Sequence, residues 1–220
     1  MNKKVTVGQQ ILSLNEKYAL ENKQIFAEGG KLCLNMISSP GSGKTSILTR
    51  TIIDLRGKLT IGVIEGDVQT DLDAERIRAT QAAAIQIETN GACHLSAAQV
   101  NNALYKLPVS ELDLVVIENV GNLVCPSAFE LGENAKVVVL SVAEGDDKPI
   151  KYPSIFSKAK VMLINKIDLL HAVDFDIERA SKDALKLNKG IKIFPVSAKS
   201  GEGMGNWYDW LYESVKSVKG

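Results

Sequence analysis

The stretch Ile37-Ser38-Ser39-Pro40-Gly41-Ser42-Gly43-Lys44-Thr45 constrains this chain more than any other. Leu32, Cys33, Leu34, Met36 and Ile37 precede it and read as a buried strand, and Ser46 to Arg56 follows as a helix. A strand that turns through glycines into a helix opening on Lys-Thr is the setting of a phosphate-binding loop. Gly41 and Gly43 let the backbone turn with no Cβ in the way, so successive N–H groups face one anion. The helix adds the positive end of its dipole. Pro40, Gly41, Ser42, Gly43, Lys44, Thr45 and Ser46 are the expected nucleotide contacts. Lys44 is expected to reach the β- and γ-phosphates, and Thr45 to ligate Mg²⁺. The usual pattern has glycine six residues before the lysine, where this chain has Ser38. Small Ser38 and Ser39, with the fixed φ of Pro40, still permit a tight turn.

From residue 32 onward, strand-like runs at 32–37, 60–65, 84–88, 113–118, 135–142, 159–165 and 191–196 alternate with helical ones. Leu114-Val115-Val116-Ile117 and Val137-Val138-Val139-Leu140 are unbroken apolar runs, the pattern of strands covered on both faces. The expectation is a three-layer α/β domain of the P-loop NTPase kind, its mostly parallel seven-stranded sheet flanked by helices. Ligands then gather beyond the carboxyl ends of the strands. Ahead of that domain, placed at 31–220, residues 1–30 carry Val7, Ile11, Leu14 and Tyr18 at helical spacing, ending at Gly29-Gly30. They predict an amphipathic helix lying on the core. Lys plus Arg and Asp plus Glu balance at 26 each among 220 residues, so no basic excess suggests nucleic acid or an anionic membrane. No apolar run approaches the length of a bilayer span, no signal peptide is visible, and three scattered cysteines make no disulfide framework. The reading is cytoplasmic.

Asn165-Lys166-Ile167-Asp168 follows the strand Val161-Met162-Leu163-Ile164. An Asp carboxylate there accepts from N1–H and the exocyclic amine of guanine, whereas adenine would leave it unpaired and desolvated. Asn165 is expected to brace the loop and touch the base, with the Lys166 stem over one face. Ser197-Ala198-Lys199 follows the last strand, where a backbone N–H at Ala198 would meet guanine O6 in a GTPase of this kind. Glu118-Asn119-Val120-Gly121 ends the strand that begins at Asp113, offering a metal-side carboxylate and a γ-phosphate-sensing N–H at Gly121. Glu65-Gly66-Asp67 ends another. Asp67 is the candidate to orient water or the Mg²⁺ shell, with Asp73 as rival, although Asp71 and Asp73 also suit a helix cap. The catalytic set is Lys44, Asp67, Glu118 and Gly121.

Cys93 and His94 lie in a loop between a strand and a helix, and Cys125 follows Gly121 by four residues. Thiolate and imidazole suit Ni²⁺ or Zn²⁺. Cys33, inside the first strand, reads as core, and His171 has no nearby ligand.

Together with the phosphate loop, Glu65-Gly66-Asp67, Cys93-His94 and Asn165-Lys166-Ile167-Asp168, the run Glu118-Asn119-Val120-Gly121-Asn122-Leu123-Val124-Cys125-Pro126 resembles the HypB-type hydrogenase nickel incorporation GTPases. The resemblance runs from about residue 5 to the C-terminus. It implies a GTP-hydrolysing accessory protein that helps deliver nickel to [NiFe]-hydrogenase, with a metal site at a GTP-dependent dimer interface. The hydrogenase large subunit and another nickel-maturation protein would be its partners. An N-terminal cysteine motif and a His-rich tract found in some members are missing here. The rival readings are a urease-accessory GTPase, for which a Cys-Pro-His site would be expected, a passive nickel or zinc carrier with vestigial GTP binding, and a small-molecule kinase, which the guanine loop disfavours. Three ligands per chain leave a four-coordinate metal one short, so two chains pooling ligands is the expected assembly. Lys148 and Lys151, after Glu144-Gly145-Asp146-Asp147, are candidates to reach a partner's nucleotide, or else a solvated loop.

Overall fold

The computed structural model describes residues 7–67, 72–89 and 91–220, without the side chains of 7–11, 67 and 72–74. The chain runs α1 (Val7–Gly29), β1 (Leu32–Ser38), α2 (Lys44–Asp54), β2 (Ile61–Asp67), α3 (Leu72–Arg78), β3 (Ala83–Glu88), α4 (Ala97–Leu104) and β4 (Leu114–Glu118). It continues with α5 (Cys125–Ala128), β5 (Ala135–Ser141), α6 (Lys148–Lys151), α7 (Pro153–Lys158), β6 (Val161–Asn165), α8 (Ile177–Leu187), β7 (Lys192–Pro195) and α9 (Met204–Lys219). The strands form one seven-stranded sheet in the order β3-β2-β4-β1-β5-β6-β7. Every neighbouring pair is parallel. The expected three-layer α/β fold is the observed one.

The four strands β4, β1, β5 and β6 are buried along their whole length, as apolar runs such as Leu114–Ile117 and Val137–Leu140 demand. Alternate residues of β1 feed opposite layers. Leu32, Leu34 and Met36 join Ile47 and Leu48 of α2 and Trp207 and Leu211 of α9. On the other face, Cys33 joins a cluster with Phe26 of α1 and Val100 of α4, while Ile37 joins one with Phe156 of α7 and Ala180 of α8. Asn35 falls between those two residues and is itself fully buried, so a polar position divides the apolar layer.

The first helix spans Val7–Gly29, and of its expected apolar stripe Tyr18 packs, half-buried, against the core. Leu14, placed on the apolar stripe, is 55% exposed; the buried positions are Asn15, Ala19, Asn22 and Phe26. Val7 and Ile11 lie outside the described side chains. The reason is hydrogen bonding. Asn22 donates to the carbonyls of Ala97 and Leu131, both at 2.9 Å, and accepts from Asn101 at 2.8 Å. Asn15 donates to Glu130 O at 2.8 Å and accepts from the Ala97 N–H at 2.9 Å. Satisfied amides can sit in a core that a hydrophobicity pattern would leave to leucine. Their partners are the start of α4 and the loop after α5, so α1 braces both.

Candidate functional site

A cavity of about 440 Å³ opens beyond the carboxyl ends of β1, β2 and β4, at the point where the chain order reverses about β1. Pro40, Gly41, Gly43, Lys44, Thr45 and Ser46 form one wall, and Glu65, Arg76, Glu118 to Gly121 and Lys166 the rest. Gly43 caps α2 with φ +92°, and a Cβ there would stand 2.4 Å from Asn165 Nδ2. Two independent constraints, backbone and space, thus require glycine. Ser38 is explained too: the Lys44 ammonium donates to its hydroxyl at 2.9 Å. Its φ is not positive, so that position has no need of glycine.

Glu118 accepts a hydrogen bond from the Thr45 hydroxyl at 2.7 Å. In the β2–β4 register Glu65 is the direct neighbour of Glu118, and the two acids are 3% and 4% exposed. Adjacent buried carboxylates call for positive charge, and Lys44 and Arg76 line the same cavity. Neither Glu65 nor Arg76 is a candidate by sequence motif, which points instead to Asp67 and Asp73. Those two side chains lie outside the described residues, as does Asp71 altogether. The signal for Glu65 was available in the alignment of strand ends, since Glu65 and Glu118 both terminate apolar runs.

Gly121 sits where a Cβ would come within 3.0–3.1 Å of Pro40, so the segment after β4 rests directly on the phosphate loop. Asn165 braces that loop from behind by donating to Ser42 O at 2.9 Å, and Lys166, in the left-handed region at φ +65°, donates to Gly41 O at 2.7 Å. Ser197 donates to Asp168 Oδ1 at 2.6 Å, which aligns the carboxylate. The Ala198 N–H donates to Asn165 Oδ1 at 3.2 Å, so here it joins two loops rather than standing open for a base. Lys199 is exposed.

Lys148 is not a solvated loop residue. It is 17% exposed, pairs with Glu144 at 3.4 Å and donates to Ser39 Oγ of its own phosphate loop at 3.3 Å. Glu144 in turn accepts from Ser42. Lys151 pairs with Asp147 at 2.6 Å and is 61% exposed.

Cys93, His94 and Cys125 come together, their ligand atoms all within 4.8 Å of one another. Cys93 Sγ lies 3.5 Å from His94 Nδ1. A hydrogen bond to Cys125, then burial and the charge of Cys125, hold the Cys93 thiol above its ordinary range. Burial lowers His94, keeping the imidazole neutral and its lone pair available. Its ring stacks on Phe129 with centroids 4.0 Å apart and planes at 22°. Nothing in the sequence reading pointed to Phe129. Cys33 is fully buried and its thiol is raised by burial and by Glu133, while His171 is exposed, and neither belongs to the group.

Fold and cavity define a phosphate-loop nucleotide-binding protein, and the family model described as "CobW/HypB/UreG, nucleotide-binding domain" matches residues 33–195. Hydrogenase maturation factor HypB of Azotobacter vinelandii is 54% identical over 205 residues, 93% of this chain and 68% of that one. The crystal structure of HypB from Archaeoglobus fulgidus superposes with a TM-score of 0.87 at 40% identity, covering 93% of this chain and all of that one. That of HypB from Helicobacter pylori in complex with nickel gives 0.88 at 38% identity, covering 92% and 95%. The chain belongs to the HypB family of hydrogenase maturation factors. No helix among the described residues is long and apolar enough to cross a membrane.

Proposed function

We propose that the chain hydrolyses GTP in the cytoplasm and uses its nucleotide state to control a nickel site at Cys93, His94 and Cys125, for insertion of the metal into [NiFe]-hydrogenase. One observation carries this reading: a single segment runs from Glu118 and Gly121, on the phosphate cavity, to Cys125 in the Cys/His group. Whatever shifts the one end is felt at the other.

In this reading Lys44 leaves Ser38 for the β- and γ-phosphate oxygens, and the N–H groups of Gly41 to Ser46 close around them. Asp168, held by Ser197, accepts from guanine, and the Gly121 N–H meets the γ-phosphate. The oxygen donors at Thr45 and Glu118 suit a hard cation, and they would hold Mg²⁺, which supplies charge neutralisation across the phosphates. Asp67, or Asp73, orients the attacking water or completes that shell. Nickel is cargo. Two thiols and an imidazole accept it, and they accept Zn²⁺ as well. Three ligands favour a homodimer formed with GTP and metal, in which two chains pool donors. Lys148 would have to give up its contacts with Ser39 and Glu144 to reach a partner. The hydrogenase large subunit and a second nickel-maturation protein are the proposed recipients or donors.

Phosphate release from GTP, measured beside the Lys44→Ala protein, tests the enzymatic half. Turnover no faster than that variant would favour the passive carrier. Sedimentation with a GTP analogue and Ni²⁺ tests assembly, and a monomer under both would rule out the pooled site.

A further inference from the structure

The loop bearing Cys93 and His94 and the segment after Glu118 are separate in sequence, yet the structure fastens them together twice. Asn119 is 2% exposed, and its side-chain carbonyl accepts from the Leu95 N–H at 3.2 Å and from the Val120 N–H at 3.0 Å. One oxygen thus holds the residue beside His94 and the residue beside Gly121. Nearer the surface, Asn122 donates to Cys93 O at 3.3 Å and accepts from the Val124 N–H at 2.8 Å, joining both cysteine-bearing segments.

The buried amide has no freedom to turn over. Two backbone donors demand its oxygen, so its amine must face Asn35 Oδ1, at 3.1 Å. The Asn35 amine then meets Glu133 Oε1 at 2.9 Å, and a carboxylate can only accept. The other Glu133 oxygen takes the Leu131 N–H at 2.6 Å, and Lys136 pairs with Glu133 at 2.5 Å, the two side chains 4% and 1% exposed. Lys136 also donates to Phe129 O at 3.2 Å, and the Phe129 ring stacks on His94. The circuit therefore closes on itself: His94, Leu95, Asn119, Asn35, Glu133, Lys136, Phe129 and back to His94. It occupies the polar seam that Asn35 opens between the two apolar clusters of that layer. A fully satisfied buried network of this sort specifies one geometry and resists partial change.

We infer that Asn119 and Asn122 are positioning residues that tie the metal-ligand loop to the nucleotide-sensing segment, so that Cys93 and His94 move with Gly121. The inference rests on the proposed coupling of nucleotide and nickel, and it names the residues that transmit it. Asn119 lies on the wall of the nucleotide cavity, but its side chain is spent on Leu95, Val120 and Asn35. Both act by holding backbone.

The test compares Ni²⁺ affinity with GDP and with a non-hydrolysable GTP analogue, read from competition with a chromophoric chelator, in the parent and in Asn119→Ala and Asn122→Ala. Thermal melting establishes which variants fold; Asn122→Ala alters a half-buried side chain nearer the surface and serves where the buried change does not. A parental ratio of at least about fivefold is expected, falling below about twofold in a folded variant. Retention of the parental ratio in every folded variant would overturn the inference. A ratio of one in the parent would instead overturn the coupled reading beneath it, and that result is seen before any variant is made. Amide exchange at Leu95 in the parent gives a second readout, with rates that differ between the two nucleotide states.

Discussion

The two halves of the site are built differently. The nucleotide half is assembled from backbone: strand β1, the turn through Gly43 and the opening of α2, locked from behind by Asn165 on Ser42 O and Lys166 on Gly41 O. The metal half is assembled from side chains on loops, with Cys93 exposed and Cys125 partly so. It is held by two asparagines, a stacked ring and a buried ion pair. A cradle made of main chain tolerates few substitutions, and the residues that buttress it, Asn165 and Lys166, bond to it directly. A cluster hung on loops owes its geometry to groups that never touch the ligand, so its weak points lie in the second layer.

The largest break in that contrast is expected at Lys136. Burial pushes the Glu133 carboxyl up, but the Lys136 ammonium, its hydrogen bond and that of Asn35 together hold it below its ordinary 4.5. A depressed carboxyl stabilises the fold above its unfolded value and loses that contribution as pH falls through the folded one. Lys136→Met strands the charge, and a cost of about 3–5 kcal/mol in denaturant unfolding near neutral pH is expected. The sign of the pH dependence should also reverse, the variant regaining stability in acid as Glu133 takes a proton. Unchanged stability at pH 7 would mean that the pair holds nothing.

Next comes Lys44→Ala, with GTP hydrolysis falling by about 10²–10³ while thermal stability stays near the parent's, since the change lies in the cradle and not in the core. Asp168→Asn should cost about 1.5–3 kcal/mol of GTP affinity and relax discrimination against ATP, measured by competition binding. In that variant the Ser197 hydroxyl can still meet Oδ1, so nickel binding with GDP is expected to be unaltered. The smallest effect belongs to Phe129→Leu, which keeps an apolar side chain but removes the stack. About 0.5–1.5 kcal/mol of Ni²⁺ affinity should be lost, with GDP affinity unmoved.

The same contrast explains what could be read from sequence. The sheet was legible because β4 and β5 carry the unbroken runs Leu114–Ile117 and Val137–Leu140, which only a doubly covered strand accommodates. The phosphate loop and the Asn165 loop were legible because backbone geometry demands particular residues at fixed spacing. Cys93, His94 and Cys125 could be singled out by chemistry. What supports them could not. Asn35, Asn119 and Glu133 are far apart in the chain, and no local pattern shows that three polar residues satisfy one another in the core. The burial of Asn15 and Asn22 in α1 was hidden for the same reason, because both look solvent-exposed until their partners at Ala97 and Leu131 are known. Ala198 and Lys148, expected to face a base and a partner, bond here within their own chain.

The central claim is that the backbone-built half governs the side-chain-built half. The direct measurement is calorimetric titration of Ni²⁺ into the unaltered protein, first saturated with GDP and Mg²⁺, then with a non-hydrolysable GTP analogue and Mg²⁺. Affinities separated by a coupling of about 1–3 kcal/mol are expected, with the same factor recovered when nucleotide is titrated into the protein with and without nickel. Superimposable nickel isotherms in the two nucleotide states would contradict it.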